Sequence, residues 1–400
     1  MKRYLILVAC AAMMVCLGTA QAWSVFIPPL RAEHGFSALR MQWIFNTSSI
    51  VFAVVIIVAG RLHDRLGPRP LAAASAVLIG AAWTLAWAFG EHYGFLWLSV
   101  GVLASAGSAV GYLCPIATAI KWFPNRRGLV SGTAAACFSC GSILLSAIAE
   151  SLLRRQWSPT DIFGVVAATY GPVVLLAGMM LARPAGQPAY EEVARFRRRT
   201  LPRDVRFWTL FVGMFTGAFP YLVVMGNAKP LALDFGLGDS LAALAIGVIA
   251  IANASSRVFW GLTVDRVGPR RAMLTSQALA VAALIVLLTA GRHWPAAFVL
   301  SIMGIGFCYG SNLAIYPATI TGIYGVHVLG SIYPFIIAAQ GIASLGTTTN
   351  GFLKDATGSN IPGLLLALSV AVAGGGACVF LTRSLSNPQA SSERLGGVGS

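Results

Sequence analysis

Gly261–Arg270 reads GLTVDRVGPR, and Gly60–Arg69 reads GRLHDRLGPR. Asp64 and Asp265 stand 201 residues apart, and the same shift relates Gly67 to Gly268 and Arg69 to Arg270. Each copy puts several charges into a chain that is only 10% charged. Each ends in Gly-Pro, the dipeptide of a tight turn. A polar phrase written twice in register predicts a chain built from two related halves.

The text around these phrases sets the class. The chain is 57% hydrophobic, with a mean hydropathy of +0.76, whereas soluble domains are about 25% charged. Its apolar residues come in runs of about 20, the length that crosses a bilayer. Backbone polar groups in lipid must satisfy one another, so these runs are helices. The expected fold is an all-α integral membrane protein with twelve transmembrane helices. Their spans lie near 4–28, 43–61, 70–90, 93–121, 128–153, 162–182, 207–229, 241–264, 271–291, 294–321, 328–353 and 361–382. Lys2, Arg3 and the apolar run after them resemble a secretory signal, but the apolar character continues through WSVFIPPL. The segment is therefore read as a retained first span.

The net charge of +15 does not indicate nucleic acid, because no basic run is interleaved with aromatics as a single-strand groove needs. It follows the bilayer instead. With the N-terminus inside, 20 of the 28 Lys and Arg fall on inner segments and 7 on outer loops, which predicts cytoplasmic termini. All seven cysteines sit in apolar runs, as packing residues, and Cys137-x-x-Cys140 has no second pair with which to hold a metal. No cofactor or metal is expected. Clustered His, Asp or Glu of an enzyme site are not seen either.

The shift of 201 residues is one half of the molecule. The expected organisation is a six-helix bundle over 1–182, a polar, basic cytoplasmic linker over 183–206, a second six-helix bundle over 207–382, and a disordered tail over 383–400. Two pseudo-symmetric halves of this kind are an architecture of secondary transporters. The repeated phrases then fall in the cytoplasmic loops after spans 2 and 8. Asp64 and Asp265 are placed to face the positive end of a neighbouring helix in the other half. With Arg65, Arg69, Arg266 and Arg270 they are the expected conformational gates.

The phrase Gly60-x-Leu62-x-Asp64-Arg65-x-Gly67-x-Arg69 resembles the signature loop of the major facilitator superfamily. Trp23-Ser24-Val25-Phe26 and KWFPNRRGLVSG, Lys121 to Gly132, are similar to the oxalate/formate antiporter family and the related bacterial monocarboxylate transporters. The resemblance covers nearly the whole chain up to about Arg383. Span 5, GTAAACFSCGSILLS, lacks the Gly-Pro pattern of drug/proton antiporters. The resemblance implies the major facilitator fold and a carrier of small organic anions.

Ionisable residues deep in a membrane are costly and mark function. Most acidic residues lie in loops or tails, Glu150 lies near the outer surface, and the five histidines map to loops or span ends. Arg257, in IANASSRVFWG, remains, about seven residues or roughly 10 Å from the cytoplasmic end of span 8. A guanidinium there suits a carboxylate held by two parallel hydrogen bonds. Asn253, one turn earlier on the same face, is placed to orient it. The family uses an arginine at this place as a substrate ligand. Where oxalate transporters of the family carry a lysine in span 11, this chain has Gln340, so a single deep cation matches a single negative charge. The expected substrate is a monocarboxylate of the lactate or pyruvate kind, with a proton as the coupling ion. Oxalate/formate-type exchange and carriage of a neutral or lipophilic solute are the alternatives. Tyr112, Tyr309, Asn312, Tyr333 and Gln340 complete the expected substrate-binding set.

Overall fold

In the computed structural model, residues 2–182 and 201–381 are described, and every regular element among them is helical. Positions 183–200 of the expected linker, and the expected tail, lie outside the described residues. The helices are α1 (Lys2–Leu17), prolonged by a 3-10 stretch over Gly18–Val25, α2 (Ile27–His34), α3 (Ala38–Leu66), α4 (Pro68–Phe89) and α5 (Tyr93–Trp122). Then come α6 (Arg127–Arg154), α7 (Pro159–Met180), α8 (Val205–Gly226), α9 (Ala228–Asp234), α10 (Asp239–Val267) and α11 (Pro269–Thr289). The last four are α12 (Pro295–Tyr324), α13 (Leu329–Ala343), α14 (Leu345–Thr357) and α15 (Ile361–Leu381). Among the described residues, eleven helical segments are long and apolar enough to cross a membrane. The first segment is a shorter apolar α-helix that tightens into the 3-10 stretch.

Three departures from the expected spans each have a local cause. The span over α8 stops at Gly226, where Asn227 turns its side-chain amide back onto the Val223 carbonyl, 2.9 Å away. Span 11 is interrupted at Ser344, whose N–H is shared between the carbonyls of Gln340 and Gly341, both at 3.2 Å. Gly341, Ser344 and Gly346 are poor helix formers and allow that bend. The repeated phrases are mostly helix rather than loop. α3 runs on to Leu66 and α10 to Val267, so only Gly67 and Gly268 make the turns, at φ +82° and +84°. Side chains other than glycine's rarely adopt that region. Pro68 and Pro269 then start α4 and α11, with the φ a first helical turn needs.

The chain forms two compact units, and each takes a short piece from the opposite half of the sequence. One consists of Met1–Pro124, Thr133–Ala194 and Val326–Pro334; the other of Asn125–Gly132, Arg195–Gly325 and Phe335–Ser400. Inside the first, α4 packs along α7 through small residues. A Cβ on Gly178 would meet that of Ala72 at 2.4 Å, so the two backbones run close. Such small-residue contacts drive helix association where lipid removes the hydrophobic incentive. Inside the second, α10 packs along α12 and α8 along α15. Buried apolar side chains from α8, α9, α12 and α15, including Phe219, Leu231, Phe298 and Leu364, form its core.

Candidate substrate site and two carboxylate caps

α10 carries Asn253 and Arg257 one turn apart on one face. Arg257 is 3% exposed and ten residues from the end of its helix at Val267, roughly 15 Å along the axis. Two glycines of α12 let that helix lie directly on α10. A Cβ on Gly306 would sit 2.7 Å from the Ile249 carbonyl oxygen, and one on Gly310 would sit 1.8 Å from Ser256 Oγ and 2.7 Å from the Asn253 carbonyl. This approach sets Tyr309, the neighbour of Gly310, beside the Asn253 turn. The Tyr309 ring stacks on Tyr221 of α8, with centroids 3.8 Å apart and planes 11° apart.

Both phenol oxygens accept a side-chain amide. Asn253 Nδ2 donates to Tyr221 Oη at 3.3 Å, and Gln340 Nε2 of α13 donates to Tyr309 Oη in a short hydrogen bond. The Arg257 guanidinium is near enough to act electrostatically on the Tyr221 hydroxyl. One cation, two phenols and two amides from α8, α10, α12 and α13 thus converge within the second unit.

The other expected residues lie elsewhere. Asn312 is buried at 2% exposure against α8, its Oδ1 2.7 Å from where a Gly217 Cβ would be, with the Gln277 amide alongside. Tyr112 belongs to the first unit, edge-on to Phe52 at 5.7 Å and Phe138 at 5.3 Å. Tyr333 is fully buried and also belongs to the first unit, although it is seven residues from Gln340. Tyr221 was missed in the sequence. Its one signal is the step Pro220-Tyr221 inside an apolar helix, which nothing links to position 309 before folding.

The repeated aspartates cap helices. Asp265 accepts from the N–H groups of Gly128 and Leu129, both at 2.8 Å, at the start of α6. Asp64 accepts from the N–H of Gly330 at 3.1 Å and, in a short hydrogen bond, from Ser331 Oγ, at the start of α13. A carboxylate on unsatisfied helix N–H groups is favoured by both hydrogen bonding and the helix dipole. The two copies differ in depth, since Asp64 is 1% exposed and Asp265 is exposed. His63, expected in a loop, is buried on α3 with Nδ1 3.7 Å from Asp64 Oδ1, because α3 extends past it. Arg69 Nε donates to the Leu181 carbonyl at 3.0 Å. Arg65 and Arg266 are exposed and Arg270 is half-buried. Glu150 pairs with Arg154 at 2.6 Å on the exposed surface of α6. Among the described residues, no group of three or more His, Cys, Asp or Glu is placed to hold a metal ion.

The family model described as "Major Facilitator Superfamily" matches residues 8–347. The chain belongs to the major facilitator superfamily. It is 26% identical over 352 residues to the oxalate:formate antiporter of Oxalobacter formigenes, covering 86% of this chain and 82% of that one. It is 25% identical over 384 residues to human monocarboxylate transporter 11, covering 92% and 80%. The fold is similar to that of the transporter FucP in its outward conformation, with a TM-score of 0.74 at 14% identity over 95% of this chain and 99% of the other. This chain is a multi-pass membrane transporter of the superfamily.

Proposed function

We propose that this chain carries small monocarboxylate anions, of the lactate and pyruvate kind, across the cell membrane by alternating access, with a proton as the coupling ion and both termini in the cytoplasm. The observation that supports this reading is the buried Arg257 guanidinium one turn from Asn253, whose amide joins Tyr221 and, through the ring stack, the Tyr309–Gln340 pair. A buried cation beside neutral polar groups suits one carboxylate, which offers two oxygens to the guanidinium fork. Among the described residues of this cluster, a second substrate charge would meet amide and phenol groups rather than a second cation, which argues for monocarboxylates over oxalate. Binding neutralises the site, and that lowers the cost of moving its charge through the membrane interior.

The Asp64 and Asp265 caps serve as latches in this reading, with Arg65, Arg69, Arg266 and Arg270 around the same turns. A cap can be made and lost without rearranging its helix, which gives each conformation a discrete contact.

Uptake into proteoliposomes tests the proposal. Accumulation of labelled lactate driven by an inward proton gradient supports symport. Uptake that requires an anion inside supports exchange, the second reading, which the similarity to the oxalate:formate antiporter favours. Preference for neutral solutes over acids defeats both.

A further inference from the structure

Each site amide commits one N–H of its NH₂ group to a phenol, and its oxygen has no donor. Asn253 Nδ2 is committed to Tyr221 and Gln340 Nε2 to Tyr309, while Asn253 Oδ1 and Gln340 Oε1 are buried with no hydrogen-bond partner. A buried acceptor left unpaired is costly, and most such groups in proteins find a donor. The stacked rings of Tyr221 and Tyr309 hold both amides in place. The site therefore offers a carboxylate the Arg257 guanidinium, and unfilled acceptors on Asn253, one turn away, and on Gln340.

From this we infer that the substrate carries a hydroxyl donor beside its carboxylate, so that the transporter prefers 2-hydroxy monocarboxylates to their 2-oxo and unsubstituted counterparts. The inference rests on the monocarboxylate reading above and narrows it. A 2-hydroxy acid is the smallest anion with both features on adjacent carbons. Its carboxylate takes the guanidinium, and its O–H donates to Asn253 Oδ1 or Gln340 Oε1. A 2-oxo acid turns a carbonyl oxygen toward those lone pairs and leaves them unfilled. An ammonium could donate equally well, but it would bring a positive charge next to Arg257, so the neutral hydroxyl is the donor that fits. A second carboxylate would meet the same two oxygens and be repelled.

The experiment measures uptake of labelled 2-hydroxypropanoate by the full chain in proteoliposomes, in competition with 2-oxopropanoate, propanoate and 2-fluoropropanoate. The fluoro acid keeps the substituent's size and polarity but cannot donate. The hydroxy acid is expected to compete at about ten-fold lower concentration than each of the others, in line with one recovered buried hydrogen bond. In Gln340→Met and Asn253→Leu that ratio should shrink towards one, whatever happens to the overall rate. The fluoro-acid comparison on the unmodified chain decides the matter if a variant fails to fold. Equal competition by all four acids would overturn the inference and leave the monocarboxylate reading standing. Absence of transport or competition by any acid would defeat both.

Discussion

Gly128 and Gly261 meet backbone to backbone: a Cβ on either would lie 2.3 Å from the carbonyl oxygen of the other. That approach brings the start of α6 onto α10 and sets the N–H groups of Gly128 and Leu129 on Asp265. In the first unit Gly60 and Gly330 do the same, at 1.9 and 2.3 Å, and set Asp64 on the start of α13. The repeated phrase therefore begins with a glycine for contact and continues, four residues on, with a carboxylate that caps the helix so admitted. Gly261→Ala is expected to push α6 off and to destabilise the second unit by about 1–3 kcal/mol, the usual cost of overpacking. Thermal unfolding in detergent should show the midpoint falling by several degrees, with Gly247→Ala, which has open space around its Cβ, as the comparison.

Removing the caps separates the two copies. Asp265→Asn turns an amide N–H₂ against one of the two donors at 2.8 Å and should cost about 1 kcal/mol, as lost helix caps do. Asp64 is buried with Gly330 and Ser331 as its donors. Asp64→Ala removes the carboxylate that both groups bond to from a buried place, so its cost is larger, about 2–3 kcal/mol. The order of the two unfolding midpoints checks this, and equal shifts would refute the burial argument.

At the site, Arg257→Ala is expected to abolish uptake of the anion. Arg257→Lys keeps the charge but loses the planar fork and should retain a few per cent of the rate. Near-normal transport by the alanine variant would remove the anion site altogether. Initial rates in proteoliposomes, normalised to inserted protein, supply the readout.

Tyr221→Phe keeps the ring stack with Tyr309 and removes only the acceptor of Asn253 Nδ2. The KM for the carried acid should rise by about five- to twenty-fold, the effect of one hydrogen bond in a buried site, with little change in the unfolding midpoint.

Asn312→Ala should behave in the opposite way. Its side chain packs against α8 at Gly217 beside Gln277, so the unfolding midpoint should fall while the KM stays close to that of the unmodified chain. A raised KM with unchanged stability would return Asn312 to the substrate site.

The sequence by itself determined the membrane class, the all-helical content, the repeat and its turns. Each of these follows from short-range physics: runs of apolar residues as long as the bilayer is thick, backbone groups that must pair within their own segment, and a Gly-Pro step with a fixed conformation. It also singled out Arg257, because a charge inside an apolar run stands out without any fold. The composition of the candidate site was decided only by tertiary structure. Asn253 and Gln340 are 87 positions apart and meet through two tyrosines, one of which, Tyr221, carries no local mark. Asn312 and Tyr309 sit one turn apart on the same helix, yet one packs against Gly217 and the other stacks on Tyr221. Helical spacing assigns residues to faces, but which neighbour a face meets depends on where glycines allow two backbones to approach. Likewise the charge of Asp64 and Asp265 was visible in the repeat. Their partners, the N–H groups at the starts of α6 and α13, became available only once those helices were docked.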